Sequence, residues 1–312
     1  MKRISIIIPC LNEQEVIPIY YGRMKKIMEQ IKNTEFELIF VDDGSSDQTL
    51  NLLHSLWEKD KRCHYFSFSR NFGKEAAFYA GLQHAQGDYI AVMDVDLQDP
   101  PELLMQMYEE LEKGEYDCVA ARRVDRIGER KVRAFFSSMF YKVANRVSKM
   151  QIVEGARDFR MMNRKMVDAV LQMGEYNRFS KGMFSWVGFR TKWLEYHNLE
   201  RVAGETKWSF TKLLKYSLDG ILGFSTVPLA LSSYGGIFFC GASFLTVCFL
   251  IIRYLLFHDP VQGWTTLICA IFFIGGIQLL CVGILGQYLA RTYMEVKERP
   301  IYILKENSEE RK

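Results

Sequence analysis

Two carboxylates stand one residue apart at the end of an apolar run. Residues 88–96 read DYIAVMDVD, and Asp94 and Asp96 close this run. Side chains alternate between the two faces of a strand, so we expect both carboxylates to point the same way. Such a pair suits Mg²⁺ or Mn²⁺, which take oxygen ligands and commonly share them with substrate phosphates. For so short a motif, two solvated acids at a strand end are the alternative.

Further polar clusters follow other apolar runs in the first third of the chain. Strand-like runs lie at residues 4–8, 36–41, 64–68, 89–93 and 117–121, and helix-like stretches separate them. This alternation predicts an α/β protein with a mostly parallel, doubly wound sheet. Ligands of such sheets bind beyond the carboxyl ends of the strands. We therefore expect four clusters to meet at one edge of the sheet: residues 9–13, 42–47, 70–75 and 94–99.

Length, charge and cysteine content exclude several classes of protein. The 312 residues suffice for one large domain or two ordinary ones, and the formal net charge of +3 does not suggest a nucleic-acid partner. None of the seven cysteines forms a CxxC pair or stands at zinc-like spacing from a histidine. We expect buried, reduced thiols, which favours a reducing compartment for the soluble part.

Two long apolar runs follow Pro228. Residues 229–252 and 264–289 carry no charge, and each exceeds the ~20 residues that span a bilayer core. They predict two transmembrane helices at about 229–253 and 264–289. The linker between them is poor in Lys and Arg, whereas basic residues flank the pair. The positive-inside rule therefore places the N-terminal domain and the tail on the cytoplasmic side of a multi-pass inner (plasma) membrane protein.

These patterns divide the chain into four parts. We expect a cytoplasmic domain at 1–206, a juxtamembrane amphipathic helix at 207–228, the two spans within 229–290, and a cytoplasmic tail at 291–312. The apolar stripe at 208–222 leads into the first span beside Lys and Trp, and this favours a helix lying on an anionic leaflet. A second amphipathic stripe, at 130–147, fits packing on a core.

Six motifs in order along the chain resemble a known family. Residues 6–13, 41–47 and 94–102 read IIIPCLNE, VDDGSSD and DVDLQDPPE, and they resemble family-2 glycosyltransferases with the GT-A, Rossmann-like fold. The motifs RDFR at 157–160, NRFSKG at 177–182 and AGETKW at 203–208 narrow the likeness. Together with the two expected transmembrane helices, these motifs resemble polyprenyl-phosphate glycosyltransferases: bactoprenol glucosyltransferases and dolichyl-phosphate mannosyltransferase relatives. The likeness covers nearly the whole chain.

The resemblance implies a binding site for a nucleotide diphosphate sugar. One group would hold the base and ribose: Pro9, Leu11, Glu13 and Asp42. Gly73 and Lys74 would lie near the diphosphate, and Asp94, Val95 and Asp96 would bind the donor, with Asp94 and Asp96 as ligands of Mg²⁺ or Mn²⁺. The metal would stabilise the charge on the leaving diphosphate. Asp42 as a turn residue beside Gly44, and Lys74 as a surface lysine at a helix start, are the alternatives.

On the acceptor side the resemblance implies a lipid monophosphate. Asp158 would be catalytic together with Asp96, and Asp158 is the candidate base. A phosphate monoester has a second pKa of about 6, however, so it scarcely needs deprotonation near neutral pH. Asp158 would then orient the acceptor or pair with Arg157 or Arg160. Four cations are candidates for the acceptor phosphate, or for anionic lipid head groups: Arg178, Lys181, Arg201 and Lys207.

The expected activity is an inverting transfer of a hexose at the cytoplasmic membrane face. The donor would be UDP-glucose, the acceptor undecaprenyl phosphate, and the product a sugar carrier for cell-envelope glycosylation. Glycine-rich spans allow close helix contact, and with the resemblance they suggest a homo-oligomer such as a tetramer. The alternatives are a metal-dependent nucleotidyltransferase, which would lack a Gly-rich activating loop here, and a non-catalytic membrane-anchored scaffold that binds nucleotide sugars.

Overall fold

The computed structural model describes residues 1–124, 153, 155–196, 222–257 and 263–310. Its strands are β1 Lys2–Cys10, β2 Thr34–Asp42, β3 Cys63–Phe68, β4 Tyr89–Val92, β5 Cys118–Arg123, β6 Ala156–Asn163, β7 Thr191–Tyr196 and β8 Leu304–Asn307. Its helices are α1 Ile17–Gln30, α2 Thr49–Lys59, α3 Lys74–His84, α4 Leu103–Glu112, α5 Arg164–Leu171, α6 Ser180–Trp186, α7 Val227–Phe257 and α8 Trp264–Val296.

All eight described strands form one sheet in the order β7-β5-β6-β4-β1-β2-β3-β8. The central strands β3, β2, β1 and β4 are parallel to one another. The pairs β4–β6, β5–β6 and β3–β8 are antiparallel, and β5–β7 is parallel. The expected α/β fold is confirmed, with the five predicted strands present as β1 to β5. The sheet is mixed, because β6 and β8 flank the parallel strands in the opposite direction.

Alternating side chains of the central strands divide the core into two layers. Ile4, Ile6 and Ile8 of β1 pack with Tyr20 and other residues on the side of α1, α2 and α4. Ile7 packs on the opposite side, against helices α3 and α5. All four isoleucines are fully buried, and burial of each contributes roughly 1.5–3 kcal/mol. This two-sided burial explains why most residues of the central strands are apolar. The strands also bury Ser5 of β1 and Glu37 of β2, and the Ser5 hydroxyl donates to the Glu37 carboxylate at 2.6 Å.

The two longest helices expose their apolar side chains. Segments Val227–Arg253 and Ala270–Val296 have mean hydropathies of 2.3 and 1.9, and both are long and apolar enough to cross a membrane. Their most apolar windows are not buried against the rest of the protein. These helices coincide with the spans expected at about 229–253 and 264–289. The stripe at 130–147, and the expected juxtamembrane helix up to residue 221, lie outside the described residues.

The chain after α8 returns to the sheet. Strand β8 lies antiparallel to β3, with Phe66 opposite Asn307. On either side of β8, the Ser69 N–H donates to the Ile303 carbonyl at 2.9 Å, and the Ser308 N–H donates to the Tyr65 carbonyl at 3.0 Å. Part of the stretch expected as a tail is therefore an edge strand of the N-terminal domain.

Candidate active site

Loops that follow β1 and β2 are tied together by hydrogen bonds. The Asp43 N–H donates to the Cys10 carbonyl at 2.9 Å, and the Ser46 N–H donates to Asn12 Oδ1 at 2.8 Å. The Glu13 N–H donates to Thr49 Oγ1 at 2.8 Å. These bonds make the first two polar clusters a single rigid wall. Three of the residues expected to hold the nucleoside are partly exposed on it: Pro9, Leu11 and Glu13.

Asp42 is buried, and both of its carboxylate oxygens accept hydrogen bonds. Its exposed fraction is 1%, and it accepts from the Ser67 hydroxyl at 2.7 Å and from the Ser45 N–H at 3.1 Å. These contacts correspond to the alternative interpretation, in which Asp42 shapes the turn before Gly44. Its expected contact with the ribose or base stays a prediction.

Asp43 ties the third polar cluster to the second. Its carboxylate accepts the N–H of Phe72 at 2.7 Å and the N–H of Gly73 at 3.0 Å. Burial of this carboxylate raises its pKa to about 6, although the two N–H donors act in the opposite direction. Asp43 thereby fixes the turn in which Gly73 adopts φ +98° and α3 begins with Lys74.

A second close contact joins the same two loops at Gly44. This residue has φ +71°, in the left-handed region that favours glycine. A Cβ atom here would lie 2.6 Å from the carbonyl carbon of Arg70. The position therefore requires glycine both for its backbone conformation and for the approach of the β3–α3 loop.

Asp94 and Asp96 lie beyond the end of β4, and the alternation of the strand continues through them. Val95 and Leu97 are 4% and 0% exposed in the core, whereas the two aspartates are partly exposed. The Gln98 N–H donates to Asp96 Oδ1 at 3.2 Å. Leu97 adopts φ +56°, an unusual backbone conformation for a non-glycine residue that is enriched at functional turns. The turn presents both carboxylates on the side away from the core.

The ammonium group of Lys74 bridges two carboxylates at the centre of these loops. Its Nζ lies 2.8 Å from Asp94 Oδ1 and 2.7 Å from Asp158 Oδ2. The other oxygen of Asp158, Oδ1, lies 3.9 Å from Nζ of Lys181. We call Asp94, Lys74, Asp158 and Lys181 the charge row, because their charges alternate along it. Its members come from four separate elements or their ends: β4, α3, β6 and α6.

The charges of this row shift the pKa values of two of its members, Asp158 and Lys74. Burial by itself raises the pKa of Asp158, but Lys74 and Lys181 more than reverse this and hold the pKa well below its usual range. Burial lowers the pKa of Lys74, and Asp158 and Asp94 more than offset it, so the net pKa is raised. Both groups are therefore charged at neutral pH, and Asp158 has a weak tendency to take up a proton.

The two arginines beside Asp158 have other partners. Arg157 donates from Nε to Asp99 Oδ1 at 3.1 Å, and the Tyr196 hydroxyl donates to the same oxygen. Arg160 is 4% exposed, and it donates to the backbone carbonyls of Arg157 at 2.9 Å and Asp158 at 3.3 Å. Among the described residues, the ion pairs of Asp158 are thus with the two lysines. Arg160 supports the backbone that carries Asp158, and its charge also lowers the pKa of that carboxyl group.

Arg178 lines a cleft beside the charge row. Its guanidinium lies over the ring of Tyr79, 4.3 Å from the centroid. The cleft has a volume of about 330 Å³, and Arg70, Glu75 and Ile301 also line it. Glu75 accepts the backbone N–H of Ser180 at 2.9 Å, so α3 is joined to α6 beneath the cleft. Arg201 and Lys207, the other expected acceptor cations, lie outside the described residues.

The expected metal ligands supply only part of a coordination shell. Among the residues that the structure describes, no group of three or more His, Cys, Asp or Glu side chains is arranged to hold a metal ion. Asp94 and Asp96 still fit a hard divalent cation, since such ions often take one or two protein carboxylates and complete their shell with water and substrate phosphates. Asp94 already holds a cation, the Lys74 ammonium, 2.8 Å from its Oδ1.

Sequence reasoning missed several residues that build this centre. Asp43, Glu75 and Asp99 fall within the expected polar clusters and Ser180 within the motif at 177–182, but the sequence assigns no individual role to any of them. Glu75 and Ser180 stand directly beside the candidates Lys74 and Lys181, which was the available signal. The role of Asp99 depends on Arg157, which is distant in sequence, so no local pattern indicates it.

Comparison with known proteins agrees with these observations. The glycosyl transferase family 2 model matches residues 5–171. The SfII prophage-derived bactoprenol glucosyl transferase of Shigella flexneri is 42% identical over 98% of both chains. A prophage bactoprenol glucosyl transferase homolog of Escherichia coli K12 is 41% identical over 97% of this chain and 98% of its own. The putative glycosyltransferase CsbB of Bacillus subtilis is 43% identical over 97% of this chain and 91% of its own. The chain belongs to glycosyl transferase family 2.

Proposed function

We propose that this glycosyltransferase moves a glucosyl group from UDP-glucose to a polyprenyl phosphate, with undecaprenyl phosphate as the acceptor in the cell. The observation that carries the proposal is the 42% identity to a bactoprenol glucosyl transferase across 98% of both chains. Such coverage includes the two apolar helices as well as the catalytic domain. An enzyme with a lipid-linked acceptor needs its catalytic groups beside a membrane, and helices α7 and α8 would provide that anchor.

The donor would bind along the wall formed by the β1 and β2 loops. Pro9, Leu11 and Glu13 are partly exposed there and would contact the base and ribose. The diphosphate would then reach the turn of Gly73 and Lys74. Lys74 offers an ammonium group, and the start of α3 offers the positive end of a helix dipole. Both favour an anion at this point.

A divalent cation would be held by Asp94 and Asp96. Mg²⁺ or Mn²⁺ in this position supplies charge stabilisation for the departing diphosphate. Because Lys74 contacts Asp94 in the structure, the ammonium would have to leave that carboxylate and turn towards the diphosphate. The ion pair with Asp158, on the other side of the ammonium group, would keep Lys74 in place during this movement.

Transfer requires one bond to form and one to break at the anomeric carbon. A non-bridging oxygen of the acceptor phosphate attacks C1 of the sugar, and the C1–O bond to UDP breaks with inversion. The attacking oxygen is already ionised near neutral pH, because the second pKa of a phosphate monoester is about 6. We therefore propose that Asp158 holds Lys74 near the donor diphosphate and Lys181 near the acceptor phosphate, and that it does not accept a proton.

The acceptor phosphate would lie near Lys181 and Arg178, with Arg201 and Lys207 as further candidates. Lys181 is 22% exposed in its side chain and is held 3.9 Å from Asp158. Arg178 faces the neighbouring cleft. Two cations beside a carboxylate suit a phosphate dianion, whose charge the Asp158 carboxylate would otherwise repel. The catalytic domain and the residues after α8 would both face the cytoplasm, and we propose a homo-oligomer.

A transfer assay in detergent or liposomes tests the proposal. Radiolabelled UDP-glucose, UDP-galactose and UDP-N-acetylglucosamine would each be incubated with undecaprenyl phosphate and Mn²⁺ or Mg²⁺. We expect label in the organic phase with UDP-glucose, and its loss when EDTA is added. A panel of donors is needed because the putative glycosyltransferase of Bacillus subtilis is as similar to this chain as the glucosyl transferases are. Transfer from another sugar alone would refute the glucose assignment, and no transfer from any donor would support a scaffold.

A further inference from the structure

Glu295, in the last turn of α8, contacts a loop of the catalytic domain. Its carboxylate accepts the N–H of Tyr176 at 3.0 Å, and the N–H of Asn177 lies 3.4 Å from Oε1. Hydrogen bonds to an ionised carboxylate are stronger than those between neutral groups. The two donors immediately precede Arg178. The second apolar helix is therefore joined directly to the loop that carries a candidate acceptor residue.

The position of Arg178 depends on the conformation of this loop, which connects α5 to α6. Its guanidinium donates to the Met173 carbonyl in the same loop and lies over Tyr79 of α3. The loop ends at Ser180, whose N–H donates to Glu75. Glu75 thus holds the loop at Ser180, and Glu295 holds it at Tyr176 and Asn177.

The chain just after Glu295 forms part of the same cleft. Ile301 lines the cleft with Arg178. The next residue, Tyr302, stacks on Phe68 with a centroid separation of 4.9 Å, and its hydroxyl donates to Gln83 at 2.8 Å. The path from α8 to β8 is therefore held at both ends by the catalytic domain. Part of the lining of the cleft is therefore a segment that directly follows the apolar helix α8.

We propose that Glu295 is a positioning residue for the acceptor phosphate. By tying the Arg178 loop to the end of α8, it holds the guanidinium at a fixed height relative to the membrane in which the lipid acceptor lies. This inference rests on the proposed function, because it requires Arg178 to contact the acceptor phosphate. Small displacements of such groups weaken catalysis strongly.

Steady-state kinetics of Glu295→Ala and Glu295→Gln test the inference, with undecaprenyl phosphate and UDP-glucose varied separately. We expect Glu295→Ala to raise KM for undecaprenyl phosphate roughly five- to tenfold and to leave KM for UDP-glucose within about twofold. Glu295→Gln keeps an acceptor oxygen and should give a smaller rise. Glu298→Gln is the matched control, because Glu298 lies on the same stretch and is exposed as Glu295 is, whereas among the described residues no hydrogen bond joins its carboxylate to the Arg178 loop. It should behave as wild type.

Arg178→Ala separates failure of the inference from failure of the proposed function. It should raise KM for the acceptor, and the double variant Arg178→Ala/Glu295→Ala should raise it no further. An unchanged acceptor KM in Arg178→Ala would overturn the proposed role of Arg178, and the inference with it. If Arg178→Ala weakens acceptor use but Glu295→Ala does not, only the inference fails. An equal rise in both KM values for Glu295→Ala would indicate a general structural role and would also overturn it.

Discussion

Replacing Lys74 with methionine tests whether the charge row has the role proposed for it. The substitution keeps most of the side-chain volume and removes the charge that lies 2.8 Å from Asp94 and 2.7 Å from Asp158. One such pair is worth about 6 kcal/mol at an effective dielectric of about 20 and about 1.5 kcal/mol in bulk water. The side chains of Lys74, Asp94 and Asp158 are 36%, 27% and 20% exposed, so solvent screens the row considerably. We expect a net loss of about 1–3 kcal/mol of folding free energy.

The same substitution should strengthen the binding of Mn²⁺ in the absence of nucleotide. Without the ammonium group, Asp94 loses a cation that competes with the metal, and the repulsion between that cation and the metal is removed. A divalent ion and an ammonium about 5 Å apart repel each other by roughly 1.7 kcal/mol even in bulk water, which corresponds to about a fifteenfold change in Kd. Transfer activity should nevertheless fall, because the diphosphate loses a counter-charge.

Thermal unfolding in detergent, titrated with Mn²⁺, measures both effects. Lys74→Met should have a lower Tm than wild type without metal, and the difference should shrink as Mn²⁺ is added. Lys113→Met is the control, because Lys113 pairs with Glu110 at 2.9 Å on the surface, where its side chain is 57% exposed. It should leave the response to Mn²⁺ unchanged. Equal or weaker Mn²⁺ binding by Lys74→Met would refute the idea that Lys74 competes with the metal for Asp94.

Three further predictions concern the neighbouring residues. Asp158→Asn should lower kcat strongly, yet the acid limb of kcat/KM near pH ~6 should persist in the residual activity, because it reports the acceptor phosphate; loss of that limb would identify Asp158 as the base. Folding raises the pKa of Asp43 from 3.8 to about 6, so the folded state binds this proton more tightly than the unfolded state does. The contribution of Asp43 to the free energy of unfolding is therefore greatest below pH 3.8, and it declines by about 3 kcal/mol as the pH rises past 6. Asp43→Asn should remove that decline, and an unaltered slope of Tm against pH from 4 to 7 would contradict the assignment. Gly44→Ala should cost about 2 kcal/mol or more, seen as a lower Tm, whereas Gly22→Ala inside α1, where a Cβ meets nothing within 4 Å, should be neutral or stabilising.

Sequence patterns predicted the strands that are buried on both faces. β1 to β4 are short apolar runs closed by polar clusters, and the rule for parallel sheets then predicted that the clusters would meet. The sequence of β6, ARDFRMMN, is different, because its first half carries charged side chains that serve the centre. β8 reads LKEN and has no apolar pattern of its own. It is a strand only because β3 offers an unpaired edge, and local sequence does not encode that pairing.

The candidate centre was predictable in its location and in several of its members, but not in its connections. Asp94, Lys74 and Asp158 were each singled out by motif. Their arrangement around one ammonium group depends on residues 20 and 84 positions apart in sequence. Lys181 was assigned to the acceptor, and its ion pair with Asp158 could not be inferred, since the orientation of α6 follows from tertiary packing. The motifs and the topology thus predicted which loops form the candidate centre. The contacts within it depend on which side chains are long enough to meet across the edge of the sheet.

The position of β8 in the chain has a consequence for biogenesis. The strand that covers the edge of β3 is synthesised only after both apolar helices, so the β3 edge of the sheet lacks this strand while those helices are being made. An open edge is a template for pairing with other chains. If α7 and α8 cross the membrane as proposed, β8 can pair with β3 only after these helices have brought the chain back to the side on which it started. Molecules whose helices fail to insert would keep an aggregation-prone edge, which links correct membrane insertion to the solubility of the catalytic domain.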